Sequence, residues 1–97
     1  MVSRQEVLST LAALKGEVRE KYGVAQLGLF GSIVRSEGAP ESDIDVLVEF
    51  ARPIGFFRFL ELEDYLTERL GCKVDLVSRK ALKPRIGARI LEEVVNV

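Results

Sequence analysis

The chain has no histidine and only one cysteine, Cys72, among its 97 residues. This excludes a zinc site built from cysteine and histidine, and also any mechanism that needs an imidazole base. A single cysteine cannot form a disulfide within the chain, which suits a reducing compartment, and we expect a cytoplasmic protein.

The sequence also lacks a long hydrophobic run and a surplus of either charge. No apolar segment approaches the ~20 residues that span a membrane, and charges interrupt residues 1–20 throughout, so we expect neither a membrane span nor a signal peptide. The 14 basic and 15 acidic residues give a net charge of −1, which argues against direct nucleic-acid binding. We expect one domain, residues 1–97, with a single modest core.

Hydrophobic spacing predicts three helices. Ser3 and Glu6 form a capping box, apolar residues then recur every three or four positions, and Gly23 suits the C-terminal cap, which predicts a helix over residues 4–22. A second helix should begin near residue 56 and end near residue 71, and Pro84 suits the first turn of a third. Their expected buried sides carry Phe56, Phe59, Leu62, Leu66 and Leu70 in the second helix, and Ile86, Ile90 and Val94 in the third.

Three shorter segments, residues 25–30, 43–50 and 72–77, are predicted as β-strands. Side chains alternate along the second strand, so Ile44, Val46, Val48 and Phe50 should face the core. The opposite face should carry Asp43, Asp45, Leu47 and Glu49. One or two helical turns should follow the first strand, and then a loop. The order helix, strand, turn, strand, helix, strand, helix predicts an α/β (α+β) fold with a short mixed sheet and flanking helices.

Asp43 and Asp45 are candidate metal ligands. Residues two apart on a strand project from one face, with Cα atoms ~6.6 Å apart, so both carboxylates can reach one cation or bracket two ions ~3.5–4 Å apart. Mg²⁺ takes such oxygen ligands. An Asp-x-Asp pair by itself is more often a turn cap and a solvated strand residue. Asp75 favours the metal hypothesis, because aspartate is depleted in strands and this one interrupts an apolar strand.

The Gly31–Ser32 pair is a candidate phosphate-binding turn. A glycine lets the backbone approach a phosphate, and N–H groups at the start of a helical turn attract an anion. Ser32 adds a hydroxyl donor, and Arg35 falls on the same side of the turn. Considered alone, an ordinary turn capped by Ser32, with Arg35 paired to Glu37, is the more common arrangement.

The combination is more specific than either part. A Gly-Ser pair at 31–32, ten intervening residues and Asp-x-Asp at 43–45 resemble the G-S-x10-D-x-D signature of the DNA polymerase beta-like nucleotidyltransferase superfamily. Length and element order resemble its smallest members, the minimal nucleotidyltransferase (MNT) family, through to Asp75 in KVDLV. The chain departs from the usual G-S-x-A-R-G-E/D at Val34 and Ser36, which leaves the charged positions intact.

The resemblance implies roles for the residues around the turn. Ser32 and the backbone of Gly31 would hold the β- and γ-phosphates of ATP, the substrate, with Arg35 as a further phosphate contact. Glu37 and Ser42 would orient the loop without contacting the phosphates themselves.

The resemblance also implies a two-metal Mg²⁺ site. Asp43 and Asp45 would coordinate both ions, whereas Asp75 would bind only the catalytic ion and help to deprotonate the attacking hydroxyl. Such catalysis consists mostly of positioning and charge neutralisation, so it needs no histidine.

Family resemblance finally implies a partner. In HEPN–MNT toxin–antitoxin pairs the MNT protein is the antitoxin, and it transfers AMP from ATP to a tyrosine of the HEPN RNase with release of pyrophosphate. We therefore expect a protein adenylyltransferase whose partner is a HEPN toxin. The protein is expected to form a hetero-oligomer or a homo-oligomer. The alternatives are a non-catalytic antitoxin that neutralises its partner by complex formation, and transfer to a small molecule such as an aminoglycoside with a helper subunit. Transfer to an RNA end fits the charge balance less well.

Overall fold

The computed structural model describes residues 3–34 and 43–97, and within them the chain forms three α-helices and a four-stranded sheet. This confirms the predicted mixed α/β fold. None of the helices in these two ranges is long and apolar enough to cross a membrane. The elements in chain order are α1 (Arg4–Tyr22), β1 (Val24–Phe30), β2 (Ile44–Phe50), α2 (Phe56–Leu70), β3 (Val74–Ser78), a 3₁₀ turn (Arg79–Ala81), α3 (Pro84–Glu93) and β4 (Val95–Asn96).

Local signals set the ends of α1 and α2. The N–H of Glu6 donates to Ser3 Oγ at 3.1 Å, as the capping box predicts. Gly23 ends α1 with a φ of 71°, and Gly71 ends α2 with a φ of 74°, a left-handed conformation that favours glycine. Both helices therefore begin and end where the sequence predicts.

The strand order in the sheet is β3-β2-β1-β4. β1 runs antiparallel to both β2 and β4, whereas β2 and β3 are parallel and are joined by α2 as a crossover. The three predicted strands are confirmed with shifts of one or two residues at their ends. The two-residue strand β4 was not predicted, because it is too short to show a period of two.

The core lies between one face of the sheet and the helices α1 and α2. Ile44, Val46 and Val48 of β2 point into it and are at most 5% exposed, as predicted. We call the opposite face, which carries Asp45 and Leu47, the outer face. Leu47 is buried there, so the outer face is not simply solvated.

Side chains of α2 hold the backbone of β3. The N–H of Val74 donates to Thr67 Oγ1 at 3.1 Å, and the N–H of Leu76 donates to Glu63 Oε2 at 2.9 Å. The crossover helix is thus attached to the strand that follows it by hydrogen bonds as well as by apolar packing.

Two predicted core positions are wrong. Phe56 is 70% exposed, and it packs edge-on against Phe57 rather than against the core, because α2 first reaches the core at Phe59. Ile86 is 59% exposed. The buried position of α3 is the neighbouring Gly87, about 100° further around the helix, where a Cβ would lie 3.0 Å from that of Leu82.

Two leucine-to-alanine substitutions on α2 test whether the buried side of this helix contributes more to stability than its exposed side. We expect Leu66→Ala, at a fully buried position, to lower the free energy of unfolding by about 2–5 kcal/mol through lost burial and an unfilled cavity. Leu60→Ala on the same helix, where the side chain is 37% exposed, should cost less than about 1 kcal/mol. Denaturant unfolding measures both, and equal losses would contradict this description of the core.

Candidate active site

The register of the sheet places two of the predicted carboxylates side by side. Asp45 of β2 pairs with Asp75 of the parallel strand β3, so both side chains lie on the outer face. Asp43 lies two residues before Asp45, at the entrance to β2, and its side chain is 47% exposed. The three predicted metal ligands therefore come from one end of two adjacent strands.

The three carboxylates are not gathered around one point. Asp43 Oδ2 lies 3.9 Å from the ammonium nitrogen of Lys73, at the distance limit of an ion pair. Within residues 3–34 and 43–97, no group of three or more acidic or cysteine side chains is arranged closely enough to hold a metal ion. Three carboxylates at one end of two adjacent strands are the type of ligand that Mg²⁺ takes, and the metal site stays a prediction.

Gly31 brings the predicted phosphate-binding turn against Asp45. Its φ is 84°, and a Cβ built there would lie only 2.1 Å from Asp45 Oδ2, so a side chain is excluded by both backbone and space. The preceding residue, Phe30, pairs directly with Asp45 across the sheet. The turn and the carboxylate therefore adjoin, as the two halves of the signature require.

The segment after Gly31 is a tight turn. The N–H of Val34 donates to the carbonyl of Gly31 at 3.1 Å, which closes a four-residue turn that contains the half-buried Ser32. Helical turns were expected here, and over residues 31–34 the chain forms this turn alone. The candidates Arg35, Glu37 and Ser42 lie outside the described residues.

Glu93, which the sequence did not single out, contacts this turn. Its Oε1 accepts a hydrogen bond of 2.8 Å from the N–H of Gly31, across 62 residues of chain. Glu93 is the last residue of α3, so the end of that helix is attached to the turn. The sequence assigned the same N–H to a phosphate, and a bound phosphate would therefore compete with the Glu93 carboxylate.

Residues 11–97 match the nucleotidyltransferase domain family. The chain belongs to this family. It is 45% identical over 97 residues to the protein adenylyltransferase MntA of Thermococcus cleftensis, a match that covers 100% of this chain and 98% of that protein. The expected family is thus confirmed, and the enzyme class is that of a nucleotidyltransferase.

Solved structures agree with this assignment. That of a minimal nucleotidyltransferase superposes with a TM-score of 0.75 at 29% identity, covering 97% of this chain and 91% of that one. The MNT antitoxin in complex with the tri-AMPylated HEPN toxin of Shewanella oneidensis superposes with a TM-score of 0.69 at 20% identity, covering 93% of this chain and 70% of that one. At that identity the second likeness shows a shared fold.

The close contact at Gly31 can be tested against a second glycine with the same backbone. Gly71 has a φ of 74°, and no atom of the described residues lies within 4 Å of a Cβ built there, so Gly71→Ala should cost only the strain of the left-handed conformation, about 1–2 kcal/mol. We expect Gly31→Ala to cost about 1–3 kcal/mol more, because Asp45 must also move. Denaturant unfolding measures the difference, and equal losses would show that Asp45 does not press on Gly31.

The Glu93 contact predicts a loss of stability. Removal of the acceptor by Glu93→Ala should lower the free energy of unfolding by about 1.5–3 kcal/mol, the range for a hydrogen bond to a charged group. Glu92→Ala, at the exposed neighbouring position, is the matched control and should cost less than about 0.5 kcal/mol. Thermal or denaturant unfolding measures the stability of both variants. A Glu93→Ala protein as stable as Glu92→Ala would refute the contact.

Proposed function

We propose that this nucleotidyltransferase is a Mg²⁺-dependent protein adenylyltransferase that transfers AMP from ATP to a tyrosine hydroxyl of a HEPN toxin, and that it thereby acts as the antitoxin. The observation that carries the proposal is the contact of Gly31 with Asp45, beside Asp75 in the same register. The name of the Thermococcus relative and the toxin–antitoxin complex of the same fold support the reaction and the partner. A cytoplasmic location follows, since ATP is the donor.

The chain's own residues supply the position of the nucleotide. In this proposal the phosphates lie on the turn at Gly31, where Ser32 donates from its hydroxyl and the N–H of Gly31 exchanges Glu93 for a phosphate oxygen. Asp43, Asp45 and Asp75 would hold Mg²⁺, which supplies neutralisation of the charge that develops on the phosphate oxygens. The carboxylates would then no longer repel the triphosphate.

The transfer itself is a single displacement at phosphorus. The tyrosine oxygen forms a bond to the α-phosphorus while the bond from that phosphorus to the bridging oxygen of the β-phosphate breaks. Pyrophosphate leaves, and Asp75, which is exposed on the outer face, accepts the phenolic proton. The products are an O-adenylyl tyrosine and pyrophosphate.

Exposed aromatic side chains support a macromolecular partner. Phe56 and Phe57 are 70% and 79% exposed and adjoin each other at the start of α2. Aromatic residues are enriched at protein interfaces, where they become buried. This surface suits a protein acceptor better than a small molecule.

The test uses ATP labelled at the α-phosphate, the purified HEPN partner and Mg²⁺. We expect label on a tyrosine of the partner, located by mass spectrometry, and a loss of at least about 100-fold in rate for Asp45→Asn and Asp75→Asn, because each removes a charge that stabilises the transition state. Asp64→Asn, which changes an exposed carboxylate on α2, is the control and should retain the wild-type rate.

Three results separate the alternatives. Removal of Mg²⁺ with a chelator should abolish labelling and leave the complex with the partner intact. If the partner's RNase is inhibited equally by the wild type and by Asp45→Asn, with no label transferred, the chain is an antitoxin that acts by binding alone. Label that remains on ATP with the partner, but moves to an added aminoglycoside, would instead assign a small-molecule acceptor.

A further inference from the structure

The outer face of the sheet carries a pocket of about 250 Å³ next to the candidate site. Gly28 and Leu47 lie at its base, and Leu91 and Val94, at the end of α3 and just beyond, form one wall. Asn96 of β4 also lines the pocket. The proposed mechanism uses none of these residues.

The register fixes how the pocket lies relative to Asp45. Gly28 pairs with Leu47. Two residues later on β1 and two residues earlier on β2, Phe30 pairs with Asp45. Residues two apart on a strand share a face and are ~6.6–6.8 Å apart, so the base of the pocket is one step along the outer face from the carboxylate. The Glu93–Gly31 hydrogen bond attaches the pocket wall to the phosphate-binding turn.

A glycine allows the wall to approach the sheet. A Cβ at Gly28 would lie 2.5 Å from Val94 Cγ2 and 3.1 Å from Asn96 Oδ1. The segment that follows α3 therefore lies directly on β1, and it places the Asn96 amide over Gly28.

The lining suits a flat heteroaromatic ring with both donors and acceptors. Leu47 and Leu91 offer apolar contact, and the amides of Gln26 and Asn96 can each donate and accept. Asparagine and glutamine bind the N6 and N7 edge of adenine in a bidentate manner.

The pocket lining also includes a guanidinium. Arg79 lines the pocket and is held by Glu49, whose Oε2 accepts from it at 2.8 Å. A guanidinium held in this way can stack on the face of an aromatic ring. The volume is below the ~300–1,000 Å³ typical of sites for whole ligands, which suits a nucleobase rather than a complete nucleotide.

We propose that this pocket binds the adenine base of the nucleotide and is the site that selects ATP over GTP. The inference rests on the proposed function, because it takes the phosphates to lie at Gly31 and Ser32. From there the ribose extends along the outer face, and the adenine ring reaches the pocket with its amino edge toward Asn96.

The test compares the binding of AMP-PNP, GMP-PNP and inorganic tripolyphosphate by calorimetry in the presence of Mg²⁺. Leu91→Trp fills the pocket, and we expect it to weaken AMP-PNP binding by at least about 10-fold and tripolyphosphate binding by less than about 2-fold. Ile86→Trp is the matched control, since Ile86 lies exposed on α3 away from the pocket, and it should change neither. Asn96→Ala should weaken AMP-PNP binding by about 10-fold and GMP-PNP binding much less.

Circular dichroism of each variant shows that it is folded. The inference is overturned if both pocket variants bind AMP-PNP as the wild type does, if they lose tripolyphosphate to the same degree, or if the wild type binds AMP-PNP and GMP-PNP equally. Labelling of the HEPN partner is measured on the same samples. Pocket-dependent AMP-PNP binding without any labelling refutes the proposed acceptor and supports the pocket. Labelling by Leu91→Trp and Asn96→Ala at the wild-type rate, measured at ATP concentrations below the wild-type Kd, refutes the pocket alone.

Discussion

The register of β2 between its two neighbours is the constraint on which the candidate site depends. It places Asp45 opposite Phe30 on one side and opposite Asp75 on the other. A slip of one residue would turn Asp45 into the core and a valine out of it, since side chains alternate along a strand. The nearly complete burial of Val46 and Val48 opposes that slip. Apolar packing on the inner face therefore fixes the carboxylates on the outer face.

Gly31 and Glu93 connect this arrangement to the end of the chain. The glycine allows the turn after β1 to contact Asp45, and its N–H binds the carboxylate that ends α3. The Glu93 carboxylate already occupies the N–H that the proposed function assigns to a nucleotide phosphate. Nucleotide binding in this protein would thus be an exchange of one anion for another, coupled to the position of α3.

Much of the fold could be predicted from local patterns. The caps at Ser3, Gly23 and Gly71 are signals within a few residues of sequence, and so is the alternation along β2. The Gly-Ser and Asp-x-Asp spacing identified the family without any structure, because the signature itself lies within 15 residues.

What could not be predicted depends on contacts between distant parts of the chain. The hydrogen bond from Gly31 to Glu93 joins residues 62 apart, and no pattern near either residue indicates it. Phe56 and Ile86 match the helical period, but their exposure depends on how far each helix extends over the sheet. The family resemblance grouped Asp75 with Asp45, but their direct pairing follows from the parallel register of β2 and β3, which no local pattern indicates.

The hydrogen bonds from α2 to β3 affect how other chains can associate with this one. β3 lies at the edge of the sheet, where unpaired N–H groups normally invite a further strand from another molecule. Thr67 and Glu63 occupy the N–H groups of Val74 and Leu76 at this edge. Addition of a further strand here would require Thr67 and Glu63 to release these two N–H groups first, which disfavours β-augmentation on this side of the sheet.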